Sequence, residues 1–135
     1  MLARLHLMRV NARIVQAETT LLLQYGLTPS QFYVLSRLVR HDGLSQQALA
    51  DRLLVTKGNI CGLIDRLEKL GLVKRLPDPG DRRSYRLQLT EAGRRAFEAA
   101  APALEATVAH QMEALTDDEL AALMGLLARL DRSLR

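Results

Sequence analysis

Apolar residues recur every three or four positions over most of the chain, and the rhythm breaks at residues that end helices. Leu7, Val10, Ile14, Ala17 and Leu21 form one such stripe within residues 2–25. Gly26 is placed to stop that helix. Thr28, Pro29 and Gln31 then read as a cap, a first helical proline and a capping-box partner, predicting a helix over 29–40 with Phe32, Leu35, Leu38 and Val39 inward. Ser45 caps a short helix over 46–54, with Ala48, Leu49 and Leu53 inward, and Thr56 caps another over 57–70. The stripe of the latter is Ile60, Leu63, Ile64, Leu67 and Leu70, closed by Gly71.

The period then changes. Residues 72–76 and 85–89 read as strands, and Pro77 to Asp81 as a long loop between them. A further helix starts at Thr90-Glu91, with Phe97, Leu104, Val108 and Met112 inward and Pro102 expected to kink or divide it. Thr116 and Glu119 form a second capping box before a last helix carrying Leu120, Leu123, Met124, Leu127, Leu130 and Leu134. The pattern predicts a mainly α chain with a small β-hairpin.

Composition narrows the function classes. At 135 residues the chain suits one ordinary domain, and its 48% hydrophobic content is that of a globular protein. A single Cys forms neither an internal disulfide nor, alone, a Cys-based zinc site. His6, His41 and His110 lie in separate segments, with no nucleophile–base, metal-ligand or phosphate-loop spacing, so neither an enzyme nor a cofactor is expected. No charge-free stretch is long enough to span a bilayer, and Arg4, His6 and Arg9 interrupt the start of the chain, so a cytoplasmic protein is expected. Charge is uneven. Residues 28–90 hold eleven Lys/Arg and six Asp/Glu, a net +5, while residues 1–27 carry +2 and residues 91–135 carry −3. A basic centre beside an acidic C-terminal part suits a polyanion-binding module joined to a different kind of unit.

Two short helices followed by a hairpin form the arrangement in which a second helix enters the DNA major groove. Lys57, Gly58, Asn59, Cys61 and Gly62 crowd the start of that second helix on the side away from its apolar stripe. Asn59 suits a bidentate contact to adenine and Lys57 a contact to guanine or phosphate; a solvated helix start is the plainer alternative. Two glycines cost about 1 kcal/mol each inside a helix, which close approach of DNA to the backbone would offset. Asp81, Arg82, Arg83 and Ser84 follow two prolines at the hairpin tip. Arginines there suit a minor groove, and Asp81 is expected to aim Arg83 through an ion pair.

The run from Leu63 to Arg75, the Asp81-Arg82-Arg83 triplet, the Leu87-Gln88-Leu89-Thr90 segment and Leu27-Thr28-Pro29-Ser30-Gln31-Phe32 together resemble the MarR family of winged helix-turn-helix regulators, over nearly the whole chain. The resemblance implies a homodimer on a pseudo-palindromic operator in double-stranded DNA. Residues 28–90 would form the DNA-binding part, and residues 1–27 and 91–135 the helical dimerisation part. It implies major-groove roles for Thr56, Lys57, Gly58, Asn59, Cys61 and Gly62, a wing role for Arg82 and Arg83, and phosphate contacts at Ser45 and Gln46. Arg66, Lys74, Arg75 and Ser84 complete the expected DNA-facing set. Cys61 and Gly62 depart from the family, which often carries Thr and Arg there. The family further implies a repressor released by a phenolic or other anionic effector, for which His6, Arg9, Arg13 and Tyr33 are the polar candidates. Thiol oxidation at Cys61 is an alternative signal, and a helical dimer that bridges proteins an alternative function.

Overall fold

The computed structural model describes residues 1–53 and 57–135, with nothing described of the side chains of Lys57 and Gly58. The Thr56 cap and the connection at 54–55 therefore lie outside the described residues. The elements are α1 (Leu2–Leu23), α2 (Pro29–Arg40), α3 (Gln46–Leu53), α4 (Lys57–Lys69), β1 (Val73–Asp78), β2 (Asp81–Leu89), α5 (Glu91–Met112) and α6 (Asp117–Ser133). The mainly α class with one antiparallel hairpin is as the pattern predicts. The chain divides into two compact units, residues 1–104 and 105–135, with the boundary inside α5.

The core of the first unit comes from short stripes on successive elements. Helix α2 buries Phe32, Val34, Leu35 and Leu38, α3 buries Leu49 and Ala50, and α4 buries Ile60, Leu63, Ile64 and Leu67. The hairpin adds Val73 and Leu87, paired strands presenting one face inward. The predicted ends hold by the predicted chemistry. Thr28 Oγ1 accepts from the Gln31 N–H at 3.2 Å, and Gln31 Oε1 accepts from the Thr28 N–H at 3.0 Å. Gly71 takes φ +73°, and the Leu72 N–H reaches back to the Leu67 carbonyl at 3.0 Å, a left-handed helix stop that an L side chain rarely adopts.

Several apolar positions of the predicted stripes are exposed. On α1 only Glu18 and Leu22 are buried, while Leu7 and Val10 lie exposed. Leu70 and Val108 are likewise exposed. Helix α5 buries Gly93, Ala100 and Leu104 and runs on through Pro102 without dividing. Pro102 is itself exposed and flanked by Ala99, Ala100, Ala101 and Ala103, strong helix formers that favour continuation.

Among the described glycines, Gly93 has the least room for a side chain. A Cβ built there would lie 2.8 Å from Leu89 Cδ1 and would collide with the Leu72 carbonyl oxygen. Thr90 caps α5 beside it, donating to the Gly71 carbonyl at 2.7 Å and accepting from the Gly93 N–H at 3.0 Å. The start of α5 is thus seated on the turn that ends α4. Gly93→Ala is expected to destabilise the fold by about 2–3 kcal/mol, because the obstacle is backbone and cannot rotate aside. A urea-unfolding midpoint equal to wild type would refute this close fit.

In the second unit, α6 opens on the expected box: Thr116 Oγ1 accepts from the Glu119 N–H at 3.2 Å, and Glu119 Oε2 accepts from the Thr116 N–H at 2.8 Å. The apolar stripe behind it is bare. Leu120 is half-buried, but Leu123, Met124, Leu127, Leu130 and Leu134 are exposed, Met124 to 71%.

Candidate nucleic-acid interface

Ser45 caps α3 as its sequence position predicts, its Oγ accepting from the Ala48 N–H at 3.0 Å. It also bridges to Arg86 of β2, and Leu44 and Gly43 exchange backbone hydrogen bonds with Leu87. The segment before α3 thereby acts as a short third strand, fixing the hairpin beside the helix pair.

On α4, Asn59 and Cys61 are exposed on the side away from Ile60, Leu63 and Ile64. Gly62 has open space where a Cβ would stand, with nothing among the described residues within 4 Å, so their packing does not demand glycine there. Arg66 is exposed on the same helix, and Lys74 is exposed on β1 opposite Gln88. Thr56 and the side chains of Lys57 and Gly58 lie outside the described residues.

The hairpin differs from the expected long tip. Strand β1 runs through Pro77 to Asp78, and the turn is only Pro79-Gly80, closed by the Asp78–Asp81 pair. Pro77 is tolerated because it sits in a two-stranded ribbon at a register break. The register passes from Pro77 opposite Tyr85 to Asp78 opposite Asp81, so Arg82, Arg83 and Ser84 bulge from β2 without cross-strand partners. Asp78 Oδ1 accepts from the Gly80 N–H at 3.0 Å, and Asp81 Oδ1 accepts from the Arg83 N–H at 2.9 Å. Asp81 therefore holds Arg83 through the main chain. The expected Asp81–Arg83 ion pair does not form among the described residues, which leaves both wing guanidinium groups uncommitted and exposed.

Arg75 is drawn into a cluster of polar side chains. Strand alternation places it opposite buried Leu87, and its side chain is 17% exposed. Its guanidinium bonds Asp65 at 2.5 Å and Glu68 at 2.7 Å, donates from Nε to Gln46 Oε1 at 3.1 Å, and from Nη2 to the Cys61 carbonyl at 3.1 Å. It also lies 6.0 Å from the centre of the Tyr85 ring. Burial lowers its proton affinity, but the two carboxylates outweigh that and hold it above its ordinary value. Gln46 spends its amide here too, donating from Nε2 to Cys61 Sγ at 2.9 Å. Asp65, Glu68 and Tyr85 are site residues that the motif pattern missed; alternation from Val73 to Arg75 was the signal for them. A cavity of about 220 Å³ opens beside this cluster, lined by Gln46, Gln47, Ile60, Cys61, Arg83, Ser84 and Tyr85.

The four polar residues expected to hold an effector are not brought together. Tyr33 Oη donates to both oxygens of Glu18, at 3.2 and 3.1 Å. Burial, then the neighbouring negative charge, raises the Tyr33 hydroxyl above its ordinary value, which keeps it a donor. Glu18 is 6% exposed and was missed; it is the one acid in residues 1–27. At about 100° per residue, Arg9 lies on the opposite side of α1 from Glu18. His6 Nδ1 is 3.0 Å from the Leu2 carbonyl, and Arg9 and Arg13 are exposed. A buried carboxylate beside Tyr33 also repels an anion there.

A capped short helix, a second helix with a polar outer face and a basic hairpin alongside define a winged helix-turn-helix DNA-binding protein. A family model described as MarR family matches residues 25–84. The transcriptional repressor MdtR of Bacillus subtilis is 32% identical over 105 residues, 78% of this chain and 68% of its own. A mutant MarR from E. coli, solved with operator DNA, is 30% identical with a TM-score of 0.84, over 96% of this chain and 92% of that one. PcaV of Streptomyces coelicolor, solved with its natural ligand, is 26% identical with a TM-score of 0.81, over 93% and 91%. The chain belongs to the MarR family. It is accordingly a DNA-binding transcriptional regulator and not an enzyme. No helix among the described residues is long and apolar enough to cross a membrane.

Proposed function

We propose that the protein is a homodimeric repressor that occupies a pseudo-palindromic operator until a small molecule releases it. The observation that carries the DNA part is the pair of uncommitted, exposed cations Arg82 and Arg83 on a bulge beside the polar outer face of α4. Such a wing suits the minor groove while Asn59, Cys61 and Gly62 face the major groove and Ser45 and Gln46 offer backbone N–H groups to phosphate. Arg66 and Lys74 add exposed positive charge to the surrounding surface. The apolar faces left bare on α1 and α6 support a second copy as their cover, and two copies would place the recognition helices about one DNA turn apart. Repression fits this architecture because a bound dimer blocks a promoter without further machinery, and MdtR is itself a repressor.

Release by an effector is supported by PcaV, solved with its natural ligand. The pairing of Tyr33 with the buried Glu18 argues that an anionic effector would bind elsewhere than at Tyr33. The test is DNA binding to the promoter region beside the protein's own gene, followed as salt rises. Binding that falls steeply with salt, with a logarithmic slope of about −0.9 per neutralised phosphate, supports the reading. No binding to any duplex at moderate salt would remove it in favour of a protein-bridging dimer. A phenolic acid that both raises the melting temperature and releases DNA would establish the effector; a panel without such a compound would count against phenolic acids as the class.

A further inference from the structure

We propose that Arg75 is a positioning residue for operator recognition, setting the wing cations against the recognition helix without itself touching DNA. The proposal rests on the DNA-binding reading above. One guanidinium joins every element of the reading face: it stands on β1, takes Gln46 from α3 and Asp65, Glu68 and the Cys61 carbonyl from α4, and lies over Tyr85 of β2. Its own backbone N–H also donates to Glu68 Oε2 at 3.3 Å. The donors of a planar fork point in fixed directions, so satisfying four acceptors on two helices sets an angle as well as a distance. Arg82 and Arg83 begin four residues beyond the point where β1 gives way to the turn, on the strand that carries Tyr85. A shift of β1 against α4 would therefore carry them out of register with the helix that reads the major groove.

The two carboxylates sharpen this reading. Asp65 and Glu68 lie on the recognition helix, where bare negative charge opposes DNA. With both engaged by Arg75, the cluster keeps a net negative charge on a basic face. Electrostatics alone says that removing them tightens all DNA binding. Positioning says that removing them loosens the operator complex. The two accounts predict opposite signs.

The test uses the full chain, an operator duplex selected by the wild-type protein from random sequence, and a scrambled duplex of equal length. Arg75→Lys, Arg75→Gln and the double variant Asp65→Asn/Glu68→Gln are titrated across a salt series, at a temperature where each is fully folded by circular dichroism. All three are expected to lose on the order of tenfold in operator affinity. Arg75→Lys should keep the wild-type affinity for scrambled DNA and the wild-type salt slope. The double variant should gain affinity for scrambled DNA while losing it for the operator. Adding Arg75→Gln to the double variant should cost less than it does in the wild-type background, since the two share the contacts to Asp65 and Glu68. Full operator affinity in Arg75→Lys, with a slope lower by about 1 in Arg75→Gln, would make Arg75 a phosphate contact and overturn the proposal. Tighter binding of both duplexes by the double variant would overturn it as well. If the Arg75 variants do not fold, the double variant, altered at partly exposed positions, decides alone. A wild-type protein that selects no operator overturns the regulator reading, and the Arg75 role with it.

Discussion

Leu127→Asp in α6 is expected to leave a folded monomer whose operator affinity is about 10²–10⁴-fold lower than that of the parent. Leu127 is 40% exposed and belongs to a stripe whose other members, Leu123, Met124, Leu130 and Leu134, are exposed too. A carboxylate there costs the isolated fold little. Across an apolar interface it would be buried without a partner in each copy, a penalty met twice by symmetry. The operator loss follows from linkage. In a dimer, the first recognition helix to bind holds the second at high effective concentration over its half-site, and a monomer forfeits that gain. Sedimentation should show a species near 15.1 kDa where the parent sediments at about twice that. An unchanged mass would mean that α6 is not the partner surface. A monomer with full operator affinity would mean that one copy reads the whole site.

The paired substitution Arg82→Ala/Arg83→Ala should be the most damaging change on the wing itself. Neither side chain supports the fold: both are exposed on the unpaired bulge, and Asp81 holds only the main chain there. Thermal stability should therefore stay near that of the parent. If all four guanidinium groups of a dimer displace counterions, the salt slope should become shallower by about 3.6. Operator binding at physiological salt should fall by about a hundredfold or more, since up to four wing contacts per dimer would be lost together. A slope identical to the parent's would show that the wing does not touch the duplex.

What the sequence revealed and what it concealed divide along the range of the forces involved. Helix ends were legible because caps act within four residues: Thr28 with Gln31, Thr116 with Glu119 and the left-handed Gly71 all form as their spacing predicts. The order of helix pair and hairpin was legible from a change of period. The partners of Arg75 were not, because they lie up to 29 residues away on other elements. The same holds for Glu18, fifteen residues from Tyr33. The stripes of α1 and α6 were legible as apolar, but periodicity identifies a face and not what covers it. Pro77 concealed the true wing tip, because proline is compatible with a loop and with a bulged ribbon alike.

The vacancy in front of Gly62 bears on how such a regulator diverges. Most positions on a DNA-reading helix serve two masters, so a change that alters recognition also disturbs packing. Gly62 is released from the second duty, since a Cβ there meets nothing among the described residues. Alanine at that position would raise intrinsic helix stability by as much as about 1 kcal/mol. Larger side chains would project outward from the proposed reading face while the core stays as it is. After gene duplication, a paralogue could therefore acquire a new operator by drift at this one codon, without first passing through an unstable ancestor.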